Sequence, residues 1–414
     1  MRKRVTGFLL PAVCFLLLAA CLSACAEEAE RELTLMIYMT GSDLESQALS
    51  DPKYRVCSAS ADLEAMTASV PEDENMAVVV LAGGTTAWQN GFAAEKDCIW
   101  QVKPGALAMA EENGQRNMGE AETLSAFLRK AKERYPAQRY ALILWGHGGG
   151  PLEGVCSDER YGMDALELPE LSAALRDSPF GTEKLSWIGF DACLMASIET
   201  ACAVAPYADY MIASQEPETN GSWNYAFLKE LAGAADGAAA GELIIRAYAE
   251  IREESFLPAS LSCLDLSRAE AVRLEMDRLF GKLAENLTEN TWPLMAKCRE
   301  NSRRIGVCSS EDWDLVDLLD LARSMDKRKA ADVMALREET GRMIICSWSS
   351  EDRENGLSVY APYDNRQMFT GSWSGKYEAL DFAAGYQRYV RRFAQIWLTR
   401  EDPEDAEEDG EDPD

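Results

Sequence analysis

The chain has 414 residues, 47% hydrophobic and 27% charged, with 41 basic against 70 acidic side chains and a net charge of −29. That is more chain than one core usually needs, and its composition is that of a globular protein, which excludes fibrous, collagenous and wholly disordered classes. So acidic a surface repels phosphate backbones and anionic lipid head groups, so no nucleic-acid partner is expected.

At the N-terminus, Arg2, Lys3 and Arg4 precede an apolar run from Phe8 to Leu22, interrupted by Pro11, and a small-residue stretch ends in Leu22-Ser23-Ala24-Cys25. A basic start, an apolar middle and a small-residue end predict an export signal over residues 1–24. The run is shorter than the ~20 residues a membrane-spanning helix needs, and no later stretch is long and apolar enough either. The Leu-Ser-Ala-Cys end resembles the bacterial lipobox, which implies Cys25 as a lipid anchor and the chain's sole contact with a membrane. The alternative is a secreted chain cut near Ala26. Beyond Cys14, Cys21 and Cys25 stand nine cysteines, at 57, 98, 156, 193, 202, 263, 298, 308 and 346. In an exported protein an odd number leaves at least one free thiol, and the pairing cannot be read from spacing. With no Cys-x-x-Cys pair and a single histidine, no zinc site is expected.

Short, continuous apolar runs follow at Leu33–Met39, Met76–Ala82, Tyr140–Trp145, Leu185–Phe190 and Tyr210–Ala213. Unbroken apolar runs of this length predict strands buried on both faces. Helical spacing lies between them, at Ala121–Glu133 and at Leu168–Leu175 with Pro169 near its start. Strand alternating with helix over residues 33–230 predicts an α/β fold with a largely parallel sheet.

The one histidine, His147, lies in Trp145-Gly146-His147-Gly148-Gly149-Gly150, where the third strand gives way to a glycine loop. Ligands of open α/β sheets bind at the carboxyl ends of strands, and glycines permit close backbone approach. The next strand ends in Phe190-Asp191-Ala192-Cys193-Leu194-Met195, before a helical run from Ala196 to Val204. Neighbouring parallel strands would bring His147 and Cys193 to one edge of the sheet. A thiol beside an imidazole can attack a carbonyl, the amides of Gly148 and Cys193 can hold the oxyanion, and a helix N-terminus would favour the thiolate. A structural loop histidine and a buried inert cysteine are the competing readings of each residue alone.

Beyond residue 235 the pattern becomes helical, at Gly241–Glu253, Arg268–Leu287 and Asp314–Arg323. Two strand-like runs follow, Met343–Trp348 and Leu357–Pro362, then a helix Ala379–Leu398 whose Phe382, Tyr386, Tyr389, Phe393 and Trp397 read as core packing. The last fourteen residues hold ten acids and predict a solvated, disordered tail. The predicted divisions are thus residues 1–24, a core over 25–235, an extension over 236–400 and a tail over 401–414.

Several segments together resemble the clostripain family of cysteine peptidases. They are Met36-Ile37-Tyr38-Met39 with Ser42-Asp43-Leu44-Glu45, Trp145-Gly146-His147-Gly148-Gly149, Gly154-Val155-Cys156-Ser157-Asp158-Glu159, Leu168-Pro169-Glu170-Leu171, Phe190-Asp191-Ala192-Cys193-Leu194-Met195 and Gly356-Leu357-Ser358-Val359-Tyr360. The resemblance implies a caspase-like αβα sandwich with a mainly helical C-terminal extension, His147 as acid and base, Cys193 as nucleophile, and a peptide or protein substrate cut after Arg or Lys. It implies Asp191 and the Trp223–Asn224 segment as substrate-binding, with Asn224 standing where a second acid is expected, so that basic preference rests on Asp191 and the acidic surroundings and is open to relaxation. It also implies processing within the loop that holds Arg160. Calcium dependence in some relatives draws attention to Asp158, Glu159 and Asp164, but three carboxylates without a ligand-loop spacing read better as a solvated acidic loop. The expected protein is a monomer. Its rivals are a non-catalytic peptide-binding surface lipoprotein and a cysteine amidase of another substrate class.

Overall fold

A computed structural model describes residues 31–47, 58–72, 75–218, 223–252, 257–307, 312–326 and 330–400. The expected export signal with Cys25, the acidic tail, Cys57, Cys308, Gly221 and Ser222 lie outside the described residues.

The strands in chain order are β1 (Arg31–Thr40), β2 (Met76–Gly83), β3 (Cys98–Lys103), β4 (Ala106–Glu112), β5 (Ala137–Trp145), β6 (Val155–Asp158) and β7 (Asp164–Leu166). They continue with β8 (Leu185–Asp191), β9 (Ala208–Ala213), β10 (Ser260–Asp265), β11 (Arg304–Ile305), β12 (Leu315–Asp317), β13 (Ile344–Ser349) and β14 (Ser358–Tyr360). Nine of them make one sheet in the order β13-β10-β9-β8-β5-β1-β2-β3-β4. The five middle strands, β9 to β2, run parallel. Antiparallel pairs close both edges, β3–β4 on one side and β10–β13 on the other.

Both faces of this sheet are covered, which is why its strands read as continuous apolar runs rather than alternating ones. In β1, Met36 and Tyr38 enter one core while Leu35, Ile37 and Met39 enter the other. The first core is roofed by helices Ala121–Arg134, Leu168–Arg176 and Ile198–Val204, the second by Ala59–Ser69 and Gly237–Arg252. The expected α/β sandwich with helices behind it is what the chain forms.

The division expected at residue 235 does not fall at the limit of the sheet. β10 hydrogen-bonds to β9 and β13 to β10, so the later segment supplies two of the nine strands. Its helices Ala269–Asn286 and Ala384–Trp397 pack on each other, and Phe280 meets Tyr386 edge to face with ring centroids 4.5 Å apart. Phe382, Tyr386, Tyr389, Phe393 and Trp397 are all buried in the first core. A small sheet of β11, β12 and β14 lies behind the loop that follows β8, where the Ser358 N–H donates to the Ala196 carbonyl at 2.8 Å.

Candidate active site

Parallel pairing sets Trp145 of β5 beside Asp191 of β8, so the two chains leave the sheet at the same edge. The Gly146 N–H donates to the Asp191 carbonyl at 3.2 Å, and the loops then touch. A Cβ on Gly148 would lie 2.2 Å from the Cys193 carbonyl oxygen and 2.8 Å from its nitrogen. Real Cβ atoms do not come so close, so glycine at 148 is what allows the histidine loop to rest on the backbone of Cys193. In the short ladder beyond, Cys156 N–H donates to the His147 carbonyl and Gly149 N–H to the Gly154 carbonyl. That pattern leaves the Gly148 N–H outside the ladder.

The imidazole of His147 has a partner that the composition and spacing of the sequence did not assign. Asp43, in the short helix Ser42–Ser46 that follows β1, places Oδ1 2.5 Å from His147 Nε2. The hydrogen bond from His147 holds the Asp43 carboxyl below its usual range, so Asp43 is an ionised acceptor. Nε2 therefore carries the hydrogen, and in the neutral ring Nδ1 is the free base. Glu45 secures this turn from beneath: it is fully buried and accepts the N–H groups of Ser60 at 3.0 Å and Gln89 at 2.7 Å. A signal was present in the Ser42-Asp43-Leu44-Glu45 segment, but without topology nothing linked it to a loop 104 residues later.

Cys193 is partly exposed, and its sulfur accepts the Glu218 N–H at 3.2 Å. Among the described residues, no hydrogen bond joins it to His147. Burial, with the carboxyls of Glu218 and Asp191 adding to it, pushes the Cys193 thiol up to about 12. The expectation of a thiolate favoured by a helix N-terminus is corrected here. The helix opens at Ile198 with Ser197 as its cap, so Cys193 lies before the cap and outside the first turn of the helix. Leu194 turns the chain sharply with φ +67°, a left-handed conformation costly for a branched side chain. The turn is held by bonds from Leu194 N–H to the Glu216 carbonyl at 3.3 Å and from Ala196 N–H to the Ser214 carbonyl at 2.8 Å.

Asp191 is buried, and its carboxylate accepts the Trp223 N–H at 3.2 Å and the Tyr225 hydroxyl at 2.7 Å. It thus holds the Trp223–Tyr225 segment against the end of β8. Trp223 lies over Gly189 and donates its indole N–H to Glu218 Oε1 at 3.2 Å. Asn224 turns the other way, donating to the Ala247 carbonyl at 3.1 Å and accepting the Ala226 N–H at 3.1 Å, so its amide is engaged in capping its own turn. The second acid of this neighbourhood is Glu218. Burial and the adjacent Asp191 carboxyl raise Glu218 well above the usual carboxylate range, so it holds the proton of the pair. The buried cation of Arg252 partly offsets their repulsion.

Arg160 is enclosed. Its guanidinium pairs with Asp97 and Asp158, each at 2.9 Å, and donates to the carbonyls of Ala94 at 3.1 Å and Arg116 at 2.8 Å. Cleavage after it would require this nest to open. The acids weighed for calcium are likewise engaged. Asp158 pairs with Arg160, Glu159 accepts from Ser46 and Thr86, and Asp164 accepts from Asn117. They do not fit a cation site. The carboxylates that do converge among the described residues, Asp312, Asp314 and Asp364, are each paired with Arg299 or Arg304.

A cleft of about 600 Å³ runs from His147 and Gly148 past Ser157 to Trp313 and Trp373. The two indoles stack with centroids 6.0 Å apart. The cleft reaches the histidine loop, and Cys193 is not part of its lining.

Comparison with known proteins bears on the family and the fold. A family model described as the clostripain family matches residues 49–395. Clostripain of Hathewaya histolytica is 24% identical over 321 residues, covering 62% of this chain and 59% of that protein, so the match spans well under two thirds of the relative's length. Among solved structures, an inactive zymogen C11 protease from Parabacteroides distasonis superposes with a TM-score of 0.65 at 19% identity, covering 87% of this chain and 99% of that one. A secreted C11 cysteine protease from Bacteroides thetaiotaomicron, in complex with an irreversible peptide inhibitor, gives 0.63 at 17% identity, covering 85% and 99%. Those two likenesses establish the shared caspase-like fold.

Proposed function

The chain belongs to the clostripain family of cysteine peptidases, and from that premise we propose that it is an endopeptidase in which Cys193 attacks the peptide carbonyl and His147 moves the proton. The observation that carries the reading is the contact of the Gly148 backbone with that of Cys193, with His147 fixed beside it by Asp43. The resting thiol is protonated. His147 Nδ1 takes the thiol proton as sulfur attacks, and the N–H groups of Gly148 and Cys193 receive the oxyanion. The imidazolium, stabilised by Asp43, then gives the proton to the leaving amine, and water hydrolyses the acyl-enzyme.

We further propose a preference for Arg or Lys before the scissile bond. Glu218 supports it: its backbone N–H meets the Cys193 sulfur at 3.2 Å, and its carboxyl lies against that of buried Asp191. A substrate cation beside Glu218 would favour its ionisation, the proton passing to solvent, and the carboxylate formed would make a charge-assisted pair with the cation. Export of the chain, by a lipid anchor at Cys25 or as a secreted protein, is proposed from the N-terminal segment. Among the described residues no helix is long and apolar enough to cross a membrane.

The test is hydrolysis of fluorogenic Arg and Lys peptides by the wild type and by Cys193→Ala and His147→Ala. The expected result is turnover by the wild type alone. Equal inertness of all three across a peptide library would remove the peptidase reading and leave peptide binding.

A further inference from the structure

We propose that Cys263 of β10 and Cys346 of β13 are a disulfide site, closing a cross-strand bridge at the edge of the main sheet in oxidising surroundings. The two residues are direct partners in the antiparallel ladder, flanked by Ser262 opposite Ser347 and Leu261 opposite Trp348. Residues directly opposed in such a ladder have Cα atoms ~4.5–5.5 Å apart, inside the ~4.4–6.8 Å that a disulfide spans. Their side chains share a face. Leu261 and Cys263 belong to the second core, and Cys346 and Trp348 pack against it.

The helix above makes room for the sulfur. A Cβ on Gly241 would lie 2.5 Å from Cys263 Sγ and 2.7 Å from its Cβ, so a glycine there lets helix Gly237–Arg252 press directly on the cysteine. The Cys263 thiol donates to the Gly237 carbonyl at 3.8 Å, and the two thiols are near enough to shift each other's acidity. Among the described residues no other two cysteines are partners in a strand ladder; Cys98 of β3, for example, pairs with Ala82 and Glu112.

Access and acidity divide the roles. Cys346 is partly exposed, and the neighbouring Cys263 lowers its thiol, whereas Cys263 is buried and raised. Cys346 is the thiol that meets the oxidant, which we take to be a disulfide such as oxidised glutathione or a disulfide oxidoreductase. Its thiolate attacks one oxidant sulfur, forming a mixed disulfide and releasing one thiol of the oxidant. Cys263 then loses its proton and attacks the Cys346 sulfur, releasing the second thiol. Two protein thiols are oxidised and one external disulfide is reduced to two thiols. The bridge ties down an edge strand that otherwise depends on a single ladder, and it closes a long loop, which restricts the unfolded chain.

The test uses the full chain carrying Cys193→Ala, which prevents self-cleavage and oxidation of the candidate nucleophile. The protein is equilibrated with oxidised glutathione, quenched with N-ethylmaleimide, digested and mapped by mass spectrometry. The expected product is one pair of peptides containing Cys263 and Cys346, joined, lighter by two hydrogens than their sum and separated by dithiothreitol. Maleimide or glutathione on these residues without a crosslink, or either joined to another cysteine, overturns the proposal. As a second readout, reduction should lower the melting temperature of this protein by a few degrees but leave that of a Cys346→Ser version unchanged. An equal response in both would count against the bridge. Neither readout depends on peptidase activity, so the proposal stands or falls separately from that reading.

Discussion

Removing the carboxylate of Asp43 isolates the contribution of the group that orients the imidazole. Its hydrogen bond to His147 Nε2 is charge-assisted, and such bonds contribute about 1.5–3 kcal/mol. The two side chains are 31% and 36% exposed, so solvent screening favours the lower end. About 1.4 kcal/mol of that stabilisation, felt as the imidazolium forms, corresponds to a tenfold fall in kcat. Asp43→Ala should therefore reduce kcat about tenfold on an Arg or Lys peptide with KM little changed, because Asp43 acts on the proton transfer and not on substrate binding. Asp43→Asn should fall as far or further, since a flipped amide donates to Nε2 and selects the wrong tautomer. The assay is initial rates over a range of substrate concentrations, with melting temperatures as a fold control. A folded Asp43→Ala protein with kcat within about twofold of wild type would refute the orienting role.

Glu218→Gln keeps the shape of the resting site but cannot ionise opposite a substrate cation. It should lower kcat/KM for Arg and Lys peptides by about 10–100-fold relative to uncharged peptides while the melting temperature holds or rises, and an unaltered ratio would contradict the assignment. Gly148→Ala forces a Cβ to within 2.2 Å of the Cys193 carbonyl oxygen and should abolish turnover; retained activity would mean that the two loops can separate freely. Arg160→Gln strands two buried carboxylates and should cost about 3–5 kcal/mol in urea unfolding. Wild-type active protein with a new N-terminus at Tyr161 would instead show the nest to be a cleavage site. Burial raises Glu199 from 4.5 to about 7, so the folded state binds the extra proton; its contribution to stability is full below about pH 4.5 and lost as pH rises through about 7. Melting curves across that window should slope down more steeply for wild type than for Glu199→Gln, and parallel curves would contradict the shift.

The strands that the sequence made plain are those buried on both faces, because in an α/β chain a short, continuous apolar run fits a strand covered by helices on either side. β4 gave no such signal: its Ala-Leu-Ala-Met-Ala-Glu-Glu is mostly exposed. β10 was obscured by its serines, Ser260 and Ser262, whose hydroxyls are buried yet bonded to Gln215, Ala213 and Gly356. β13 reads as a strand, but its membership of the main sheet is a long-range pairing that local pattern cannot express. At the site, His147 and Cys193 were legible because each ends a strand of the same parallel set. Asp43 and Glu218 were not, since their roles depend on three-dimensional closure of separate loops. Asn224 shows the same dependence: its place next to Trp223 is local, while the direction of its amide is set by Ala247 on helix Gly237–Arg252.

The most direct measurement is covalent capture. The wild type is incubated with a peptide ending in lysine and bearing an irreversible thiol-reactive group, and the adduct is mapped by mass spectrometry. One adduct on Cys193, greatly slowed by His147→Ala, is the predicted result. Labelling spread over other cysteines, or Cys193 labelled as fast without the imidazole as with it, would contradict a histidine-assisted cysteine nucleophile at this edge of the sheet.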